Sequence, residues 1–344
     1  MNLFNTRIWV VGATGLVGRA ILDILLKEWK VSPSLIECAA SPKKENSRFE
    51  YADHIFTLRS AQTGMFSTMS PAGQRHFVLL ATETNISREW TDFIRNESKK
   101  ESLITILDTS SAYRLEPKVP LIIPEINGHL LQNSSPSLIA SPNCTTLGFL
   151  YGILPFWKQL AVKRIHVSTY QAASGVGHAA LKALQHDLAT QSCTSHEYFP
   201  FPLADNCIPQ IGTLDHQGFS QEEAKVRQES QKILESQIPI HVTCARIPVG
   251  FGHSESVTLE CQKPLTPQDI NSIIKNDKDP NRVFMSPPYQ SFSLHDVIHT
   301  HKVIVSRIRI QPDDPTFLHL WLAFDNIRMG AATNVCRILS AMLQ

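Results

Sequence analysis

Nothing in the 344 residues runs apolar for the roughly 18 positions that a membrane-crossing helix needs. The N-terminus (Met1-Asn2-Leu3-Phe4-Asn5-Thr6-Arg7) lacks the charged start and long apolar stretch of a secretory leader. Charge of one sign is also missing. Lys and Arg number 32 against 31 Asp and Glu, a net +1 scattered along the chain, which leaves no basic face for nucleic acid and no charged tail. The seven cysteines are odd in number, irregularly spaced and without a CxxC pair, so neither a disulfide framework nor a metal site is expected. Internal repeats and low-complexity stretches are absent. What remains is a soluble cytoplasmic protein, with no membrane or nucleic-acid partner. At 42% hydrophobic and 18% charged residues it is long enough for two domains.

The first third alternates buried-strand runs with helical spacing. Arg7–Val11 reads as a strand, Val17–Trp29 as a helix, Leu35–Ala40, Phe77–Ala81 and Ile104–Leu107 as strands, and Ser87–Asn96 as a helix. Such alternation predicts an α/β fold on an open, mainly parallel sheet. After Pro142 the texture changes. Strands are expected at Ile165–Tyr170, His241–Ile247 and Val303–Ile310, and helices at Thr145–Leu154, Gln221–Glu235 and Gly330–Leu343, the pattern of an α+β domain with a mixed sheet.

Between the first strand and first helix stands Gly12-Ala13-Thr14-Gly15-Leu16-Val17-Gly18, a glycine-rich turn of dinucleotide-binding type. Gly12 permits the turn, Gly15 the approach of a pyrophosphate and Gly18 close packing, while the helix N-terminus supplies free N–H groups. Ser141-Pro142-Asn143-Cys144-Thr145-Thr146 sets a cysteine at the start of an apolar helical run, where the helix dipole favours a thiolate. Cys38, Cys207, Cys244, Cys261 and Cys336 lie in or beside apolar runs and read as buried structural cysteines; Cys193, in a polar stretch, has no assigned role. Arg246 ends a strand, and His253 follows a Gly-x-Gly turn. The first suits a bidentate carboxylate contact, the second proton transfer.

These motifs, in this order, resemble the aspartate-semialdehyde dehydrogenase family over almost the whole chain. The glycine turn is joined by Thr109-Ser110-Ser111-Ala112-Tyr113-Arg114, Ile123-Pro124-Glu125-Ile126-Asn127, Pro142-Asn143-Cys144-Thr145-Thr146 and Tyr170-Gln171-Ala172-Ala173-Ser174-Gly175-Val176-Gly177. Farther on come Asn206–Gly212, Glu222-Glu223-Ala224-Lys225, Arg246–Ser256 and Asn326–Asn334. A related reductase of acetylated glutamyl phosphate carries Pro-Gly-Cys-Tyr-Pro around its cysteine, which Pro142-Asn143-Cys144-Thr145 does not match. A non-catalytic homologue would be marked by loss of the nucleophile or the base, and both residues are present.

The resemblance implies a dinucleotide-binding (Rossmann-like) domain over 1–140, joined by the C-terminal segment 326–344. An α+β catalytic and oligomerisation domain spans 141–325, and the assembly is a homodimer or homotetramer. The implied reaction is NADPH-dependent reductive dephosphorylation of L-aspartyl 4-phosphate to L-aspartate 4-semialdehyde, within lysine, threonine and methionine biosynthesis. By the same resemblance Cys144 forms a thioester, His253 moves protons and Gln171 orients the substrate. Arg246 clamps the substrate carboxylate with Glu222, Arg114 and Lys225 bind phosphate, and Asn143 lines the substrate site. NADP is held by Gly12, Thr14, Gly15, Leu16, Val17, Gly18, Ser41, Lys43, Ser174, Gly175 and Asn326. Read without the resemblance, Glu222 and Lys225 are an ordinary i,i+3 surface ion pair.

Two departures stand out. Ala81-Thr82-Glu83-Thr84-Asn85 replaces the family's Ser-Ala-Gly-Gly-Ser stretch, so that either Glu83 points outward or the loop approaches the cofactor differently. The family's arginine after the second strand is missing, leaving Lys43 nearest. Glu37 is the rival residue, the acid that would mark an NAD site.

Overall fold

The computed structural model describes residues 3, 5–41, 45–61, 73–97, 103–132, 136–192, 194, 197–285 and 292–344. Lys43 and Cys193 lie outside the described residues. The chain divides into two compact units, Met1–Asn143 with Ala331–Gln344, and Cys144–Gly330. No helix among the described residues is long and apolar enough to cross a membrane.

The first unit is built on seven strands: β1 (Thr6–Val11), β2 (Ile36–Ala39), β3 (Arg48–Tyr51), β4 (His54–Arg59), β5 (Arg75–Leu80), β6 (Leu103–Asp108) and β7 (Leu138–Ala140). Their order is β3-β4-β2-β1-β5-β6-β7, parallel throughout except for the antiparallel β3–β4 hairpin at one edge. The central runs of β1 and β5 are apolar almost without interruption, as strands covered on both faces require. Because β2 and β5 flank β1 on opposite sides, the chain reverses direction across the sheet there. The crevice beyond the carboxyl end of β1 is where such sheets bind ligands.

Helix α1 (Leu16–Leu22) continues as a π-helical turn over Asp23–Glu28, so the expected helix is present with an inserted wide turn. It buries Ile21, Leu22, Ile24 and Leu25 in the core. Helix α2 (Thr84–Glu97) follows β5. The closing helix is likewise a π-helical turn, Arg328–Thr333, leading into an α-helical stretch, Asn334–Met342. That stretch adds Val335, Ile338 and Leu339 to the same core, and its Asn334 Nδ2 donates to the Ile122 carbonyl and to Ser141 Oγ, 2.9 Å each.

The second unit carries a six-stranded mixed sheet of β8 (Val162–Gln171), β9 (Ile240–Arg246), β10 (His253–Cys261), β11 (Arg282–Phe284), β12 (Val303–Ile310) and β13 (Phe317–Phe324) in the order β11-β12-β13-β10-β8-β9. β8–β9 and β11–β12 are parallel; the other pairs are antiparallel. Helix α3 (Cys144–Gln159) packs on this sheet, buried from Thr145 to Phe156. Two glycines let its backbone approach: a methyl on Gly148 would overlap the Phe324 ring at 2.1 Å, and one on Gly152 would meet Leu322 at 2.8 Å. Helix α4 (Gln221–Ile233) opens with a capping box in which Ser220 and Glu223 satisfy each other's backbone N–H groups.

Candidate active site

In the first unit the glycine turn leaves β1 as expected. Gly12 sits at φ +81°, and a Cβ there would lie 2.3 Å from the Ala81 carbonyl oxygen; one on Gly18 would lie 2.2 Å from the Gly12 oxygen. Neither position accepts a side chain. Gly15 caps α1, donating its N–H to Gly12 at 2.9 Å, with Thr14 just before it in the turn and Leu16 and Val17 in the first helical turn. Beside the turn is a cavity of about 410 Å³ lined by Gly12, Ala40, Ser41, Thr82 and Glu83, among others. Glu83 is thus at the cavity, exposed. Backbone held open by glycines next to a helix N-terminus fits a dinucleotide's phosphates.

Glu37 goes elsewhere. It lies within β2, and its carboxylate pairs with Arg7 at 3.3 Å and Arg59 at 3.7 Å, lining a different pocket from Gly12 and Ser41. In the same unit Arg114 is buried, with Nε on the Ser141 carbonyl at 3.0 Å and an Nη on that of Thr109 at 2.7 Å. Its loop is shaped by Asp108, which accepts from the Ser110 N–H at 3.0 Å and the Ser110 hydroxyl at 2.8 Å, and from the Ser87 hydroxyl. Asn143 is buried at the end of this unit's first segment.

In the second unit, sheet register brings the remaining residues together. Gln171 and Arg246 are paired at the carboxyl ends of the parallel strands β8 and β9, and β10 begins beside them with His253. Cys144 is the first residue of α3, where the helix dipole favours an anion. Its Sγ is 3.4 Å from His253 Nε2. The other ring nitrogen, Nδ1, receives the Ala172 N–H at 3.1 Å, and the Ala172 carbonyl receives Arg246 Nη1 at 2.6 Å. A single residue between β8 and a short turn therefore holds both the histidine and the arginine. Burial, then the Arg246 charge, push the His253 pKa down to about 3, against smaller upward pulls from Glu222 and the Gly252 carbonyl.

Gln171 is fixed at both ends of its amide: Thr169 Oγ1 donates to Oε1 at 2.9 Å, and Nε2 donates to Glu222 at 3.0 Å. Glu222 is buried, 3.6 Å from Lys225 Nζ, with Thr145 Oγ1 at 3.5 Å from the same carboxylate. The pair is thus no ordinary surface bridge: its acid lies inside, where its charge partly offsets the burial that pulls the Arg246 pKa down. Asn326 braces two loops, its Oδ1 taking the Gly252 N–H at 2.8 Å and its Nδ2 donating to Ser174 Oγ at 3.0 Å. A Cβ on Gly175 would lie 3.3 Å from Arg246 Nη1 and 3.8 Å from the His253 ring.

Three participants had no role assigned from sequence. Ala172 and Thr169 act through backbone and second-neighbour bonds that no residue type announces. Glu223, legible as the N3 residue of Ser220-x-x-Glu223, also binds the Cys244 N–H at 3.0 Å and so ties α4 to β9. One expectation is corrected: Cys207 is exposed, not buried, because it lies in an irregular segment before Ile208 rather than within a strand; Cys38, Cys244, Cys261 and Cys336 are buried.

Gly330 supplies a steric test. A methyl there would sit 2.7 Å from Cys144 Cβ and 3.2 Å from its Cα. Gly330→Ala is expected to push the sulfur out of line and to lower kcat on the order of 100-fold. A variant turning over at the wild-type rate contradicts that close approach.

Two family models match the chain: the NAD binding domain of semialdehyde dehydrogenase over residues 7–134, and the semialdehyde dehydrogenase dimerisation domain over residues 153–329. The chain is 30% identical to an aspartate-semialdehyde dehydrogenase of Aquifex aeolicus, with 98% of each covered. It is 32% identical to one of Campylobacter jejuni, over 98% of this chain and 97% of the relative. The solved structure of aspartate semialdehyde dehydrogenase II from Vibrio cholerae is similar at a TM-score of 0.85 and 26% identity, covering 98% of both chains. The chain belongs to the aspartate-semialdehyde dehydrogenase family.

Proposed function

We propose that this protein catalyses the NADPH-dependent reductive dephosphorylation of L-aspartyl 4-phosphate to L-aspartate 4-semialdehyde through a thioester on Cys144. The observation that carries this reading is the Cys144 sulfur at the head of α3, 3.4 Å from a buried His253 that shares Ala172 with Arg246. A soft nucleophile, a ring that can serve the developing oxygen charge and a forked cation for the substrate carboxylate are what an acyl phosphate of an amino acid requires. Gln171, locked by Thr169 and Glu222, orients the substrate; Glu222 holds its amino group; Lys225 and Arg114 receive the phosphate; Asn143 completes the substrate set. On this reading the product feeds lysine, threonine and methionine biosynthesis, and the chain works as a homodimer or homotetramer, a state supported by the dimerisation-domain match over residues 153–329.

When bound, the nicotinamide cofactor supplies the hydride. Gly12, Thr14, Gly15, Leu16, Val17 and Gly18 would hold its pyrophosphate, Ser41 and Lys43 its 2′-phosphate, and Ser174, Gly175 and Asn326 are assigned to the same ligand. Engagement of Glu37 by Arg7 and Arg59 supports NADP over NAD, since that acid is not free to take a ribose hydroxyl. Comparing kcat/KM for both cofactors, the wild type is expected to prefer NADP and Glu37→Ala to leave the preference unchanged. Lys43→Ala is expected to weaken NADP by about ten- to a hundred-fold, the equivalent of one charge-assisted hydrogen bond. A wild type that prefers NAD, or NADP use gained on removing Glu37, overturns the assignment.

The activity itself is tested by following NADPH formation from L-aspartate 4-semialdehyde. The expected result is turnover that requires inorganic phosphate; sustained turnover without phosphate, or turnover only with the acetylated glutamate semialdehyde, overturns the reading.

A further inference from the structure

We propose that Asp108, the last residue of β6, positions the phosphate-binding arginine: with Ser87 of α2 it fixes the loop that carries Arg114, so that the guanidinium meets phosphate in one orientation. Asp108 acts through Arg114, and the inference rests on the reading that Arg114 receives phosphate.

A fully buried acid at the end of a strand is costly unless its oxygens are satisfied, and those of Asp108 are satisfied from two directions. Its Oδ1 accepts the Ser110 N–H at 3.0 Å and the hydroxyl of Ser87, itself fully buried; its Oδ2 accepts the Ser110 hydroxyl at 2.8 Å. The Ser110 oxygen in turn accepts the Ala112 N–H at 3.1 Å. The carboxylate therefore winds the start of the loop about itself, as aspartate does when it bonds the backbone two residues on. Helix α2 holds the rest of the loop. Arg88 donates an Nη to the Ala112 carbonyl at 2.8 Å and lies over the Tyr113 ring at 5.4 Å, while Thr84 Oγ1 is 2.9 Å from Ser111 Oγ.

Both carbonyls that grip the Arg114 guanidinium trace back to Asp108. One belongs to Thr109, the next residue, which takes Nη2 at 2.7 Å and is pinned to the Leu80 carbonyl by its N–H at 3.0 Å and its hydroxyl at 2.9 Å. The other belongs to Ser141, which takes Nε at 3.0 Å and donates its N–H to the Asp108 carbonyl at 2.8 Å. Substitution of Asp108 leaves that backbone bond in place and removes the side-chain bonds, so the turn that leads from Thr109 to Arg114 is what loosens. A guanidinium recognises phosphate through a planar fork, and a buried one turns with the backbone that grips it.

Charge and position make opposite demands, which separates a positioning role from an electrostatic one. As an anion in the unit that carries Arg114, Asp108 repels phosphate, so neutralising it would lower the phosphate KM if charge were its whole effect. As the anchor of the loop, its loss raises that KM.

The test is initial-rate kinetics of Asp108→Asn with semialdehyde, NADP and inorganic phosphate varied in turn. The KM for phosphate is expected to rise about tenfold, the worth of one fixed hydrogen bond to a charged group, with the other two constants within about twofold of wild type. NADPH formed in the first turnover without phosphate is expected to keep its full amplitude, because that half of the reaction does not use Arg114. A phosphate KM that is unchanged or lowered overturns the proposal, as does an equal loss in all three constants, the mark of a generally loosened fold. Where Asp108→Asn fails to fold, Ser110→Ala decides: it keeps the acid and its backbone N–H bond, removes the hydroxyl, and is expected to raise the phosphate KM alone, by about three- to tenfold. Arg114→Ala separates this inference from the reading beneath it. If its phosphate KM is unchanged, Arg114 does not receive phosphate and both fall; if it rises while the Asp108 and Ser110 variants do not follow, the arginine keeps its assignment and the positioning role alone is overturned.

Discussion

Cys144→Ala is expected to abolish turnover while leaving cofactor binding nearly intact. Cys144 stands at the head of α3, the described thiol nearest to His253, whereas Cys38, Cys244 and Cys261 are buried and have pKa values pushed upward by desolvation, away from thiolate. These three are poor substitutes for it. Cofactor binding is assigned mainly to the glycine turn, which belongs to the other compact unit, so dissociation constants measured by nicotinamide fluorescence should change little. An alanine variant that keeps even roughly a tenth of the activity contradicts the thioester mechanism. Cys144→Ser should retain at most a trace, since a hydroxyl of ordinary pKa is a much poorer nucleophile than a thiolate.

Arg246 and His253 are seven positions apart in sequence and joined through Ala172, yet their variants should fail differently. Arg246 spends one Nη on the Ala172 carbonyl and keeps the rest of its fork for a carboxylate. Arg246→Lys keeps the charge but cannot make both contacts at once. The KM for the semialdehyde is expected to rise about ten- to a hundred-fold, the worth of one charge-assisted hydrogen bond, with a smaller loss in kcat. His253→Asn removes a ring nitrogen that lies 3.4 Å from the sulfur and should chiefly lower kcat, by about 10²- to 10⁴-fold. Steady-state kinetics with both variants decides the matter: the reverse pattern, kcat falling for the arginine and KM rising for the histidine, shows the roles are misassigned.

The sequence made these two residues legible because strand ends and glycine turns leave marks in composition: Arg246 closes an apolar run, and His253 follows Gly250-Phe251-Gly252. The alternation of strands and helices around Gly12–Gly18 gave the first sheet in the same way. What stayed hidden depends on contacts rather than residue type. The β3–β4 hairpin turns at Ala52 and Asp53 with φ of +50° and +62°, a turn built without the glycine or asparagine that usually announces it. His253 reads locally as a loop residue, but pairing of β10 with β13 and β8 makes it the first residue of a strand. The fate of Glu37 depended on where β2 ends and on Arg7 and Arg59 reaching it, which one-dimensional spacing does not convey. The Gln171–Glu222 bond spans 51 residues and is set by the packing of α4 on β9.

The central claim is that an aspartyl thioester forms on Cys144, and omitting phosphate is the most direct way to see it. With semialdehyde and NADP but no phosphate, oxidation should stop at the thioester, giving a burst of about one NADPH per chain. Acid-quenched enzyme analysed by peptide mass spectrometry should then carry an aspartyl adduct on Cys144 that disappears when phosphate is added before the quench. A full burst with the adduct on another residue, or sustained turnover with no adduct, contradicts the account.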